Sequence, residues 1–302
     1  MAAPSSTAGF LAAARWFVDV RDWQPGSCEW DAALHLLPPH EQHKVQRFVF
    51  AKDQRLALGS RVLQRKLIQE LFRQVPMAQI DIQRTPEGKP YWRRDISKND
   101  EVDSNCMDVP VSWNYNVSHH GTVVVIVAHP HALVGVDIMQ VSERPNAKTT
   151  SIGGFFRAFE SYFNANEWDC IRCSSDANEQ YERFYRLWSL KEAYIKAVGI
   201  GLGFSLLRAE FFFDERDAQW HLRLDGEIAR AWRFDSTFVD ATHIVSVAYG
   251  PLDAMWKPET SSIFPASLNV AKAGTQPNHN DEGTSAAAWV KRDLADLIAH
   301  TP

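Results

Sequence analysis

The hydrophobic periodicity of this chain changes twice in the same order, and that order limits what it can fold into. After a first apolar run, RWFVDV at 15–20, the residues from about 40 to 74 carry Val45, Phe48, Val49, Leu56, Leu63, Leu67 and Leu71 at helical spacing. Pro38-Pro39 opens this stretch, where a missing proline N–H costs nothing, and two helical pieces are expected. Strand-like runs follow at 80–84 (IDIQR), 112–118 (SWNYNVS), 122–130 (TVVVIVAHP) and 133–139 (LVGVDIM). Between them lie a turn, TPEGKP (85–90), a polar loop (93–110) and a hairpin bend at His119-His120-Gly121. The pattern then restarts. Helical segments over 151–198 precede short strands near 207–213, 219–224, 230–235 and 243–249. Helices first and antiparallel strands afterwards, twice over, define an α+β chain. Two halves, 10–130 and 131–250, are expected, with any ligand favouring the interface between them. Beyond Pro251 the chain is rich in Ser, Ala, Pro, Asn and Thr. It reads as a low-complexity tail (251–302) ending in a helix over SAAAWVKRDLADLIAH (285–300).

Charge narrows the partners. Across 302 residues, 32 basic and 37 acidic side chains give a net charge of −5, which discourages a nucleic-acid binder. The balance is uneven. From Lys44 to Arg73 eight basic residues face two acids, a net of +6 that leaves −11 for the remainder. A basic segment on an acidic body points to an anionic ligand. Four cysteines are too few to staple a chain this long, and the single Cys170-x-x-Cys173 has no second pair for zinc. No run approaches the roughly 20 apolar residues of a membrane span. Arg15 interrupts the apolar N-terminal stretch, so a cytoplasmic, membrane-free protein is expected.

Three groups of residues could carry chemistry. Asp137 stands in the apolar strand LVGVDIM, where a buried carboxylate needs a cation or several donors. It could equally cap a strand end. Magnesium suits one or two carboxylates beside substrate phosphates, whereas Met139 cannot serve a hard cation. The second group lies on LWSLKEAYIKAVG. There Lys191 falls within the apolar arc, and Glu192 and Lys196, four residues apart, are neighbours on one flank. An ordinary surface ion pair is the plain alternative. A carboxylate beside ammonium groups can also hold a metal, take a proton or sit against phosphate. The third group, Arg84, Lys89, Ser118 and His119, places anion-binding side chains on a Pro-Gly turn and a hairpin end. Ser118-His119 lacks the elbow motif of a serine nucleophile.

In order, RTPEGKP (84–90), NVSH (116–119), GVDIM (135–139) and WSLKEAYIK (188–196) resemble the 4′-phosphopantetheinyl transferases of the surfactin-synthetase type. FVFAKD (48–53) and GIGLGF (199–204) resemble its animal subgroup. The resemblance, over about 15–250, implies a monomer of two similar α/β halves with a pseudo-two-fold arrangement and the active site between them. It implies transfer of phosphopantetheine from coenzyme A to a serine of apo acyl or peptidyl carrier proteins, including fatty acid synthase and aminoadipate-reductase carriers. It makes Asp137 and Glu192 the Mg2+ ligands, and Lys44, Arg84, Lys89, Ser118, His119 and Lys196 the coenzyme A contacts. On physical grounds Glu192, directly or through a metal-bound water, is expected to be the base for the carrier serine, and Lys196 with His119 to stabilise charge on the leaving oxygen. Lys44 stands where relatives have arginine, and Met139 where bacterial members have a third acidic ligand. A non-catalytic coenzyme A-binding adaptor is the alternative. The basic segment is expected to meet an acidic carrier helix through some of Arg47, Arg55, Arg61 and Arg65.

Overall fold

The first half of the chain is built around one long helix laid on a sheet. The computed structural model describes residues 13–72, 75, 77–93, 112–142, 151–255 and 288–299; nearly all of the expected polar loop and most of the tail lie outside them. Strand β1 (Ala14–Asp19) leads into helices α1 (Cys28–His35), α2 (Pro39–Gln46) and α3 (Ala51–Leu71). A hairpin, β2 (Asp81–Arg84) and β3 (Pro90–Arg93), precedes strands β4 (Asn114–His120) and β5 (Val123–His129). The helix expected over 40–74 is thus two pieces, α2 entered at Pro39. The eight-residue α1 was not anticipated; Ser27 caps it, its hydroxyl accepting from Trp30 N at 3.1 Å.

The second half repeats the order. It comprises β6 (Leu133–Gln140), α4 (Ile152–Arg157), α5 (Ala165–Arg172), α6 (Ala177–Val198), β7 (Ala209–Asp214), β8 (Gln219–Leu224), β9 (Glu227–Ile228), β10 (Arg233–Phe238) and β11 (His243–Gly250). Asp176 caps the start of α6, and Gly199, with φ of 77°, turns the chain out of it through the left-handed region. In each half the first strand pairs antiparallel with the last, β1 with β5 and β6 with β11. The next position out is β4 in one sheet and β10 in the other. This is the α+β class, as two similar halves.

Contacts between the halves are reciprocal. From the second half, β6 lies beside β4. From the first, Arg15 on β1 pairs with Asp235 on β10 and donates from Nε to Tyr249 Oη at 2.8 Å. Exchange of equivalent positions in both directions is what a pseudo-two-fold arrangement requires. Three cores result. One packs α1–α3 on the first sheet and one packs α4–α6 on the second. The third lies between the sheets, from Phe17, Val125, Val136, Ile138, Val245 and Val247. Because Val124 and Ile126 face the helices while Val123 and Val125 face the other half, β5 is buried on both sides. Hence its unbroken apolar sequence.

Two expectations need correction. Of the helix expected over 285–300, the described residues 288–299 hold instead a strand, β12 (Val290–Arg292), and a five-residue helix, α7 (Leu294–Ile298), and the rest lies outside the described residues. Asp293 and Asp296 form a reciprocal cap that starts α7 late, and the residues before it add a parallel strand to the open edge of β1. Leu297 is fully buried in the first core. The basic segment is also less available than its count suggests. Arg65 is buried in a bidentate pair with Glu41, at 2.9 and 3.0 Å, so it cannot meet a partner. Lys66 is buried too, donating to Ala299 O at 2.7 Å.

Candidate active site

The edge where β4 meets β6 has no backbone ladder between the strands. Side chains of β4 supply the rungs. Asn114 Oδ1 accepts from Val134 N at 3.1 Å, Asn116 Oδ1 from Val136 N at 3.0 Å, and His120 Nδ1 from Gln140 N at 2.9 Å. Both numbers rise together, so the strands run parallel with a constant offset of 20. Alternate residues of a strand share a face, and NYNVSHH therefore aims Asn114, Asn116, Ser118 and His120 at one neighbour. The third rung differs. There Ser118 Oγ donates to a side chain, Asp137 Oδ1, at 2.9 Å.

Asp137 is where sequence reasoning placed it, buried in β6 and facing α6. Gly135, two residues earlier, is the reason α6 comes so close. A Cβ there would lie 2.0 Å from Ala193 O and 2.3 Å from Ala197 N, so helix backbone rests directly on strand backbone. That contact brings Lys196 Nζ to 2.6 Å from Asp137 Oδ1 and 2.9 Å from Ser118 Oγ. Glu192 lies one turn earlier on the same flank of α6. Burial, then the Asp137 charge, pushes its carboxyl upward, against the pull of Lys196. Asp137 Oδ2 is buried and has no hydrogen-bond partner. An orphaned carboxylate oxygen beside a second carboxylate is a donor set that fits a hard cation such as Mg2+. Met139 contributes nothing to it and packs against the second core.

The remaining expected residues fall in different places. His119, next to Ser118, keeps solvent exposure, yet desolvation by the surrounding protein, then Lys196 and His120, lowers its pKa. Arg84 is exposed on the β2–β3 turn, its Nη1 donating to Gly88 O at 2.7 Å, and its charge reaches Arg61 on α3. Lys44 is exposed on α2. Lys89 has a different task from the phosphate contact expected of it. Its ammonium is buried and donates to Val134 O at 3.1 Å and Ala197 O at 2.6 Å, fastening the turn across β6 and the end of α6. Burial pushes its pKa down to about 7. Lys191 also separates from the site. It is fully buried against Glu167, 2.8 Å from Oε2, and its ammonium donates to Leu206 O at 2.9 Å. Sequence reasoning missed the seam residues Asn114, Asn116 and His120. The polar alternation at 114, 116, 118 and 120 was the available signal.

Comparison with known families agrees with this arrangement. Residues 21–131 match the family model described as 4′-phosphopantetheinyl transferase, N-terminal, and residues 133–248 match that of the 4′-phosphopantetheinyl transferase superfamily. The chain belongs to this superfamily and is an enzyme that transfers a 4′-phosphopantetheinyl group. Among curated relatives, the L-aminoadipate-semialdehyde dehydrogenase-phosphopantetheinyl transferase of Mus musculus is 34% identical over 286 residues, 92% of this chain and 88% of its own. Its Homo sapiens counterpart is 36% identical, covering 78% and 74%. The phosphopantetheinyl transferase of Thraustochytrium sp. is 38% identical, covering 77% of each. A solved holo-(acyl-carrier-protein) synthase from Bacillus anthracis, in complex with CoA, aligns with 40% of this chain and 98% of its own at 20% identity, with a TM-score of 0.32.

Proposed function

We propose that the chain moves the phosphopantetheinyl arm of coenzyme A onto a serine of apo acyl or peptidyl carrier proteins, with Mg2+ at Asp137 and Glu192. The carrying observation is the rung at which the two halves meet side chain to side chain. Ser118 and His119 stand on one half, Asp137, Glu192 and Lys196 on the other, and Asp137 Oδ2 is left without a partner. When bound, Mg2+ supplies charge neutralisation on a diphosphate. Lys44, Arg84, Ser118, His119 and Lys196 bind the anionic nucleotide end, and the positive charge of Lys196 opposes the negative charge that grows on the leaving oxygen. Glu192 takes the proton of the carrier serine. The serine oxygen bonds to phosphorus as the bridging oxygen bond breaks, and adenosine 3′,5′-bisphosphate leaves.

The mouse and human relatives, named for L-aminoadipate-semialdehyde dehydrogenase, favour carriers of the aminoadipate-reductase type, and the animal-subgroup resemblance adds fatty acid synthase carriers. In this reading the enzyme works as a cytoplasmic monomer whose site residues lie within 10–250, with β12 and α7 completing the first half. Among the described residues no helix is long and apolar enough to cross a membrane. The test is to incubate the protein with coenzyme A, Mg2+ and an apo carrier and to weigh the carrier. One added phosphopantetheinyl group supports the reading. Coenzyme A binding with an unmodified carrier would make the protein an adaptor instead.

A further inference from the structure

The apolar layer between the halves ends, beside the His119-His120-Gly121 bend, on a histidine. His243 opens β11 and shares its inner face with Val245 and Val247, because alternate residues of a strand point the same way. It is 1% exposed. A hydrocarbon side chain would fill the place without the cost of burying an imidazole. The histidine adds a fixed direction. Its Nδ1 lies 2.8 Å from Asp240 Oδ2 and 3.0 Å from Oδ1. Asp240 Oδ1 in turn accepts from Thr242 N at 2.7 Å and from His243 N at 2.8 Å, which ties the carboxylate to the start of the strand. A carboxylate only accepts, so Nδ1 carries the ring hydrogen and donates it to Asp240. At the far edge of the ring, Nε2 is buried and has no hydrogen-bond partner among the described residues.

That edge stands against the other half of the molecule. A Cβ on Gly121 would lie 2.6 Å from His243 Nε2 and 2.5 Å from Gln140 Oε1, and Gly121 has φ of 60°. Space and backbone conformation both demand glycine there. Gln140 is the strand partner of His243, and its N donates to His120 Nδ1 at 2.9 Å. The bend is therefore seated on the ends of β6 and β11 by His120 and Gly121, the two residues that follow His119. Asp137 lies three residues before Gln140, about 10 Å along the same strand. The seat of the bend and the carboxylate thus belong to one strand pair.

We infer that His243 is a positioning residue for the transfer reaction. Held in one orientation by Asp240, its imidazole is the stop on which the glycine bend rests, and it sets where His119 stands relative to Asp137 and Lys196. His243 acts through His119, and the inference rests on His119 as a coenzyme A contact.

The test uses the full chain with coenzyme A, Mg2+ and an apo acyl carrier domain, at temperatures where each variant is folded. His243→Leu, of similar bulk but without the Asp240 bond, should lower kcat/KM for coenzyme A by about five-fold or more and change the Michaelis constant for the carrier by less than about two-fold. Asp240→Ala, which leaves the imidazole but frees it to turn, should act in the same direction, and Asp240→Asn, which keeps an acceptor, should restore most of the rate. A double-mutant cycle separates positioning from mere support of the fold. In a His119→Ala background, adding His243→Leu should change kcat/KM for coenzyme A by less than about two-fold. An equal loss from His243→Leu with and without His119 would overturn the inference, as would an unchanged constant in His243→Leu while His119→Ala impairs the enzyme; both leave the His119 contact standing. An unchanged kcat/KM for coenzyme A in His119→Ala would overturn the contact and the inference together.

Discussion

The two oxygens of Asp137 lead different lives. Oδ1 holds Ser118 and Lys196, while Oδ2 is buried with nothing to accept from. Its location depends on the neighbouring rungs. Asn116→Ala would leave Val136 N without its acceptor, a loss of about 1–3 kcal/mol that urea unfolding would measure. Since Ser118 is two residues along, the transfer rate at temperatures where the variant is folded should fall as well. Lys89 gives a pH signature. Its pKa of about 7 in the folded protein lies below the ordinary value of 10.5, so between these pH values the folded state has released a proton that the unfolded chain still holds. Stability contributed by this position therefore rises with pH above 7, by at most about 1.4 kcal/mol per unit. Denaturant titrations at pH 7 and 9 should show wild type gaining on Lys89→Met. A constant difference would mean that the ammonium stays charged on its two carbonyls.

At the scale of elements, α6 and β6 act as one unit because Gly135 leaves room for Ala193 and Ala197. Gly135→Ala should cost about 3 kcal/mol in thermal unfolding and, by pushing α6 off the strand, separate Lys196 from Asp137. Strand β12 and helix α7 form a similar unit with β1 and α3. Truncating the fully buried Leu297 to Ala should destabilise the protein by about 2–5 kcal/mol, measurable in the same unfolding assay, although the residue lies far along the chain from the site. The sequence made some elements plain. The helix and strand periods placed β1, β4–β6 and α6 within a residue or two, and the stretch 40–74 over α2 and α3, because each buries a regular face. It concealed β12, whose three residues are a strand only because β1 offers an open edge. It also gave Lys191 the look of a site residue, because burial of charge in a helix does not reveal its partner, here Glu167 on α5. Asp137, Glu192 and Lys196 were legible as a charged group on apolar elements. Their meeting with Ser118 was not, since the β4–β6 seam carries no backbone pairing to read.

For the whole molecule, the uneven charge resolves into two parts. Arg65 and Lys66 are spent internally, on Glu41, Glu70 and Ala299, and hold the first half together. Arg47 and Lys52 remain exposed on the first half, so under the carrier reading affinity should weaken as salt screens them; a Michaelis constant independent of ionic strength would contradict that role. The two halves meet across the apolar layer between the sheets and at its two edges, through Arg15 at one and the asparagine rungs at the other, and among the described residues the second edge is the one that brings carboxylates, ammonium and hydroxyl together. The central claim is that this edge performs the transfer with Glu192 as the proton acceptor. Its most direct test is intact-mass measurement of an apo carrier after reaction with coenzyme A and Mg2+, comparing wild type with Glu192→Gln. The expected result is one phosphopantetheinyl group added by wild type and none by Glu192→Gln, with coenzyme A binding largely retained. Transfer by Glu192→Gln at a near-normal rate would contradict the claim.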